Sequence, residues 1–141
     1  MAGKKYTGKE FFVNTKQCET QKFDWGTLQW TLEPRTTGTT DMTGGVVTLL
    51  PGVGHSTHSH ECNEIIYMID GKDCEQYMIL PDGSKVSSMM QPGDFAWLPA
   101  NVPHGTVNRS DANVHLVAIY AVPGSEADLG KQANEIIPPE E

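Results

Sequence analysis

Three histidines and one glutamate are the residues of this chain best suited to hold a metal ion. His58 and His60 are two positions apart, Glu64 follows soon after them, and His104 lies in a separate block, 93–108. Side chains two apart on a strand point to the same face, so the first two histidines can converge on one point. Imidazole nitrogens with a carboxylate oxygen form a ligand set that suits a first-row divalent metal. The spacing therefore predicts one mixed nitrogen and oxygen metal site.

The two blocks of sequence resemble the paired motifs of the cupin superfamily. The one departure is Asn101, where the family usually has glycine. Asparagine is the next most tolerant residue of a positive φ angle, so we expect the turn before His104 to form. Nine of the ten signature positions match: Gly52, His58, His60, Glu64 and Gly71 in the first motif, and Gly93, Pro99, His104 and Asn108 in the second.

Composition and turn spacing favour an all-β protein. The chain has 14 glycines and 9 prolines, and regularly spaced turns separate segments rich in Val, Ile, Thr and aromatic residues. The cupin resemblance implies an antiparallel jelly-roll β-barrel with added N-terminal strands. We expect a single cupin domain over residues 1–141, with N-terminal strands and a loop in 1–45, the barrel core in 46–122, and a C-terminal tail in 123–141. A short helix is predicted near 126–133.

Two local patterns carry finer predictions of structure. Leu28, Trp30 and Leu32 alternate with polar residues, which indicates a half-buried strand. Asp70-Gly71 is a strong hairpin signal, so we expect the segments on either side of it to pair as antiparallel strands.

Several residues outside the proposed ligand set could also contribute to a site. Tyr120 lies near the end of the last long strand, where the resemblance places the open mouth of a barrel, and it is the candidate catalytic residue. A tyrosine that seals the core is the alternative. His55 has the opposite strand phase to His58 and is interpreted as a loop histidine. The aromatic residues Tyr77, Phe95 and Trp97 are possible pocket walls, but we expect them to lie in the core. Arg35 and Arg109 are candidates to bind an acidic substrate, against the commoner role of solvated surface arginines.

Charge and hydropathy exclude some classes of partner. A net charge of −8 and a pI near 5 disfavour nucleic acid and anionic membrane surfaces. No apolar run approaches the ~20 residues that a membrane helix needs, and the first residues lack the pattern of a secretory signal. The three cysteines are an odd count for a disulfide framework. Free thiols and a cytoplasmic location are therefore expected.

The cupin resemblance implies a metal-dependent enzyme that takes a small oxygen-rich organic substrate. An intact set of three histidines and a glutamate resembles the quercetin-dioxygenase-like and oxalate-decarboxylase-like branches, and one divalent ion is expected, whether Fe, Mn, Ni, Co, Zn or Cu. An oxygenase, and hence an oxidoreductase, is favoured over an isomerase, epimerase, lyase or decarboxylase acting on a sugar acid or similar small acid. A non-catalytic ligand-binding or metal-binding module is the alternative from a different class.

The aromatic N-terminal segment predicts a homodimer. An unpaired edge strand invites strand addition from a second copy, two-fold association is common, and cupins often pair in this way. The residues that carry this prediction are Phe11, Phe12, Phe23, Trp25, Leu28, Trp30 and Leu32.

Overall fold

The computed structural model, which describes residue 3 and residues 5–140, consists mainly of two antiparallel β-sheets. The strands are β1 (Thr20–Phe23), β2 (Gly26–Leu32), β3 (Thr43–Leu49), β4 (Gly54–His58), β5 (Glu64–Asp70), β6 (Cys74–Ile79), β7 (Lys85–Met90), β8 (Phe95–Leu98), β9 (His104–Asn108), β10 (Val114–Tyr120) and β11 (Glu135–Ile137). One sheet has the order β11–β1–β2–β3–β10–β5–β8, and the other has the order β4–β9–β6–β7. The all-β, antiparallel jelly-roll prediction is confirmed.

Helices in the described residues are few and short. Helix α1 is Pro34–Thr37 and helix α2 is Ser125–Gly130, with single 3₁₀ turns at Lys9–Phe11 and Thr15–Gln17. Helix α2 confirms the predicted C-terminal helix, whereas no helix was predicted at α1, within the N-terminal segment 1–45. None of these helices has the length and apolar character that crossing a membrane requires.

The hydrophobic core lies between the two sheets and begins with β2. Leu28 and Trp30 are almost completely buried, and their neighbours Gln29 and Thr31 are only partly buried, which confirms the alternating pattern. Leu32, at the end of the strand, is half-buried. The other buried apolar residues come from both sheets and include Val47, Leu49, Ile66, Met68, Cys74, Met90, Leu98, Val114, Leu116 and Ala118.

The hairpin predicted at Asp70-Gly71 is wrong. Strand β5 pairs with β8 and β10, whereas β6 pairs with β7 and β9, so the chain crosses from one sheet to the other at this turn. Gly71 has a φ angle of +98°, which suits any sharp reversal that needs a positive φ. The turn chemistry therefore indicated a reversal correctly but could not say which strands would pair.

Phe95 and Trp97 are not in the core, contrary to expectation. Their exposed fractions are 71% and 64%, while Leu98 on the opposite face of β8 is buried. β8 is the last strand of its sheet, and no other element described here covers its outer face. Both aromatic residues lie beside a cleft of about 420 Å³ next to β7, the last strand of the other sheet.

The C-terminal tail adds a strand that the sequence did not indicate. Strand β11 pairs with β1 from Thr20–Ile137 to Lys22–Glu135, and so extends the larger sheet at its N-terminal edge. The division of the chain into one domain with boundaries at 45 and 122 stays a prediction. Residues 1, 2, 4 and 141 of that domain lie outside the described residues.

Candidate metal centre

The three predicted histidine ligands meet at one end of the space between the sheets. His58 ends β4 and His104 begins β9, and the two residues are direct cross-strand neighbours. His60 lies beyond the end of β4, so strand phase alone does not place it beside His58. Even so, one ring nitrogen of each histidine lies within 4.8 Å of the others.

Backbone carbonyl groups fix how all three imidazole rings are oriented. The Nδ1 atom of His58 is 2.9 Å from the Ser56 carbonyl oxygen, that of His60 is 2.8 Å from Cys62 O, and that of His104 is 2.9 Å from Val102 O. A carbonyl only accepts, so Nδ1–H donates in each case, and in the neutral ring Nε2 is the nitrogen that has a lone pair for a metal. This second layer of contacts is the arrangement that orients histidine for metal binding.

Glu64 brings a carboxylate to the same group of atoms. It is the first residue of β5 and is buried. Its Oε1 atom is 2.9 Å from Nε2 of His60 and 3.7 Å from Nε2 of His104. The chain therefore places two ring nitrogens and one carboxylate oxygen around a common point, with His58 beside them.

The surroundings of the rings set their protonation. Burial lowers the pKa of His58 to about 4 and also lowers the pKa of His104. The hydrogen bond with Glu64 raises the pKa of His60. At neutral pH the imidazoles of His58 and His104 are thus neutral, which is the form that coordinates a metal.

One buried atom supports the fit between these residues and a metal ion. Nε2 of His104 is inaccessible to solvent and has no hydrogen-bond partner, although such atoms are normally satisfied. A divalent ion would supply that partner. Three imidazoles and a carboxylate are also a donor set that Mn, Fe, Co, Ni, Zn and Cu all accept.

The substituted turn of the second motif forms as predicted. Asn101 has a φ angle of +65°, which asparagine tolerates better than most residues. Its backbone N–H donates to the His60 carbonyl oxygen at 2.8 Å, and the neighbouring Ala100 N–H donates to Asn63 Oδ1 at 2.9 Å. The turn before His104 thereby holds the loop that carries His60.

Tyr120 borders the centre from the end of β10. It is the cross-strand neighbour of Glu64, and its ring centroid is 5.6 Å from that of His60. Burial, followed by the negative charge of Glu64, raises the pKa of its hydroxyl. The phenol therefore stays protonated and can donate a hydrogen bond near the ligands.

His55 is close to the centre, contrary to its interpretation as a loop histidine. It belongs to β4, and its ring centroid is 4.0 Å from that of His58 and 5.5 Å from that of Trp25. The register between β4 and β9 shifts between His55 and His58. An irregularity of this kind re-aims side chains, so simple alternation gave the wrong phase.

His55, His58 and His60 line a cavity of about 770 Å³. One wall is the loop after β4, including Cys62, whose Sγ is 3.5 Å from Nδ1 of His60. The opposite wall comes from α2 and the residue Gln132 beyond it. Sequence reasoning missed the contribution of the tail because its short helix has no pattern that specifies where it docks. The tail residues that line the cavity are Ser125, Asp128, Leu129 and Gln132.

The other predicted candidates lie elsewhere. Arg35 pairs with Glu33 and Glu19, and Arg109 pairs with Glu75, so both guanidinium groups are bound to carboxylates and neither lines the cavity. Tyr77 is half-buried beside Gly105, and its hydroxyl bonds to Thr57.

Comparison with known proteins agrees with the fold. A family model described as a cupin domain matches residues 45–120, which is more than half of the chain. Oxalate decarboxylase from Bacillus subtilis, in a study of its Mn(II) centres, aligns with a TM-score of 0.70 and 17% identity over 79% of this chain and 29% of that one. The Lactobacillus farciminis oxalate decarboxylase in its formate complex aligns with a TM-score of 0.70 and 18% identity, over 79% of this chain and 32% of that one. The chain thus spans less than a third of those structures, and no curated protein sequence matches it.

Proposed function

Because this chain belongs to the cupin family, we propose that it is a metal-dependent enzyme acting on a small oxygen-rich organic substrate. His58, His60, Glu64 and His104 would hold one divalent transition metal. The observation that carries the proposal is the convergence of three oriented imidazoles beside an open cavity, with a buried carboxylate oxygen 2.9 and 3.7 Å from two of them. A purely structural ion would not need the cavity.

The residues of the chain have separable roles in this proposal. The carbonyls of Ser56, Cys62 and Val102 hold the imidazole rings, and the cavity admits the substrate. Tyr120 offers a hydroxyl hydrogen to a substrate oxygen. When bound, the metal would act as a Lewis acid that stabilises negative charge on substrate oxygens or would support oxygen chemistry.

We propose oxygenase chemistry ahead of proton-transfer chemistry because of the inner wall of the site. Behind the ligands the wall is apolar, formed by Leu28, Val47, Leu49, Ile66, Leu116 and Ala118. An isomerase or lyase needs a general base within reach of its substrate, and Glu64 is already engaged with two histidines. His55 supports proton-transfer chemistry as the second candidate function, since its ring borders the cavity.

Metal analysis of untagged protein, followed by an oxygen-uptake screen, tests this proposal. We expect one iron, manganese, nickel, cobalt, zinc or copper ion per chain and oxygen consumption with an enolisable hydroxy-ketone or acid. A metal-loaded protein that converts such compounds without oxygen would favour the isomerase, lyase or decarboxylase alternative. Stoichiometric metal and tight ligand binding without turnover would identify a binding module.

Replacing Tyr120 with phenylalanine should separate metal binding from catalysis. The change removes only the hydroxyl, so the metal content should stay the same while kcat falls about 100-fold, a typical effect of losing a proton donor. Metal analysis and steady-state kinetics measure the two quantities. An unchanged kcat would show that Tyr120 only seals the core.

We also propose that the chain forms a homodimer through its N-terminal segment. Phe11 and Phe12 are exposed, which supports the proposal, although Leu28 and Trp30 pack inside their own core and β11 already covers the edge of β1. Light scattering should give about twice the 15.5 kDa mass of one chain. Phe11→Ser/Phe12→Ser should then shift the mass to that of a monomer, and the comparison variant Phe95→Ser/Trp97→Ser should not. The opposite result would place the interface on β8.

A further inference from the structure

The cavity in front of the proposed metal centre has no basic wall. Among the described residues that line it, none is lysine or arginine, and the charged groups apart from the histidines are the exposed carboxylates of Glu61 and Asp128. Lys131 is near the rim, but its Nζ atom is 3.9 Å from Asp128 Oδ1 and both groups are exposed. That pair adds little net charge to the opening.

The cations that could have served an anionic ligand are engaged elsewhere. Arg35 is held by Glu33 and Glu19 at the N-terminal edge. Arg109 and Lys85 both pair with Glu75. None of the three lines the cavity. A carboxylate on the body of a ligand would therefore lose water in the cavity and gain no charged partner.

A ligand's own charge also matters at longer range. The whole chain carries a net charge of −8, and Glu61 lines the cavity together with Asp128, which has Lys131 beside it. Like charges placed across a binding surface oppose association and are one way to reject the wrong partner.

Resting on the proposed function, we propose that the site selects ligands that are uncharged apart from the oxygens presented to the metal, and rejects those with an additional carboxylate. The substrate class is thus a neutral hydroxy-ketone, diol or similar chelating compound rather than a dicarboxylate. Apolar side chains that line this cavity, such as Val122 and Leu129, suit the hydrocarbon part of such a compound.

Two hydroxypyrones with the same chelating group test this selectivity. Maltol carries a methyl group on its ring, whereas comenate carries a carboxylate. Cobalt-loaded protein of measured metal content would be titrated with each compound. The visible spectrum of cobalt and calorimetry would measure binding. The affinity of each compound for free cobalt ion would also be measured, and the protein affinities would be corrected for the difference in chelating strength. We expect maltol to bind about tenfold more tightly than comenate after this correction, as one uncompensated charge implies.

A charge placed on the cavity wall provides the matched comparison. Gln132 is exposed on that wall, so Gln132→Lys should strengthen comenate binding several-fold relative to maltol, whereas Gln132→Met should leave the ratio of the two affinities unchanged. Equal corrected affinities in the parent protein, binding of neither compound, or no response of comenate to Gln132→Lys would each overturn the selectivity. Failure to load cobalt stoichiometrically would overturn the proposed metal centre itself, and with it this inference.

Discussion

Replacing His58 and His60 together with alanine should reduce the metal content from about one ion per chain to nearly none. The two imidazoles supply half of the proposed ligand set. Their removal leaves only His104 Nε2 and Glu64 Oε1, which are 3.7 Å apart. Two ligands hold a divalent ion weakly. Element-resolved analysis of untagged protein after dialysis measures the change.

A histidine outside the cavity provides the control for that experiment. His115 lies on β10, is partly exposed and pairs with Asp70. His115→Ala should keep the full metal content, because its ring is not among those that converge. If the double variant of His58 and His60 keeps stoichiometric metal while its circular dichroism spectrum is unchanged, the assignment of the ligands is wrong.

Motif spacing predicted the site better than strand phase did. The His-x-His argument assumed that both residues lie on one strand, but His60 is in the loop after β4. It reaches the centre because the Asn101 N–H holds the His60 carbonyl and the Cys62 carbonyl accepts from the His60 ring. His55 failed the same argument in the other direction, since the shift of register before His58 turns its ring toward the cavity.

Long-range pairing was the part of the fold that local patterns could not specify. Alternation placed Trp30 and Leu28 in the core correctly, because burial of one strand face follows from its own sequence. The crossing at Gly71 and the docking of β11 on β1 depend on partners distant in sequence. The exposure of Phe95 and Trp97 likewise depends on β8 being an edge strand, which its apolar sequence does not reveal.

Asn108, the last residue of the second motif, has a structural role that the sequence pattern does not explain. It is completely buried and ends β9, the strand that His104 begins. Its Nδ2 atom donates to the carbonyl oxygens of Leu49, Leu50 and Ala112, at 3.2, 3.1 and 2.7 Å. Its Oδ1 atom accepts from the backbone and side chain of Ser110, at 2.9 and 2.7 Å.

Replacing Asn108 with alanine should lower the free energy of unfolding by about 3 kcal/mol or more, because it leaves several buried polar groups without partners. Urea denaturation of the variant and the parent measures the difference. Asn134→Ala is the matched control, since Asn134 is exposed and makes one side-chain bond, to Asp24 at 2.7 Å; its cost should stay below about 1 kcal/mol. Because Asn108 ties the end of β3 to the β9–β10 turn and is remote from the ligands, the folded fraction of Asn108→Ala should still bind metal. Equal stabilities of the two variants would show that the turn does not depend on the Asn108 amide.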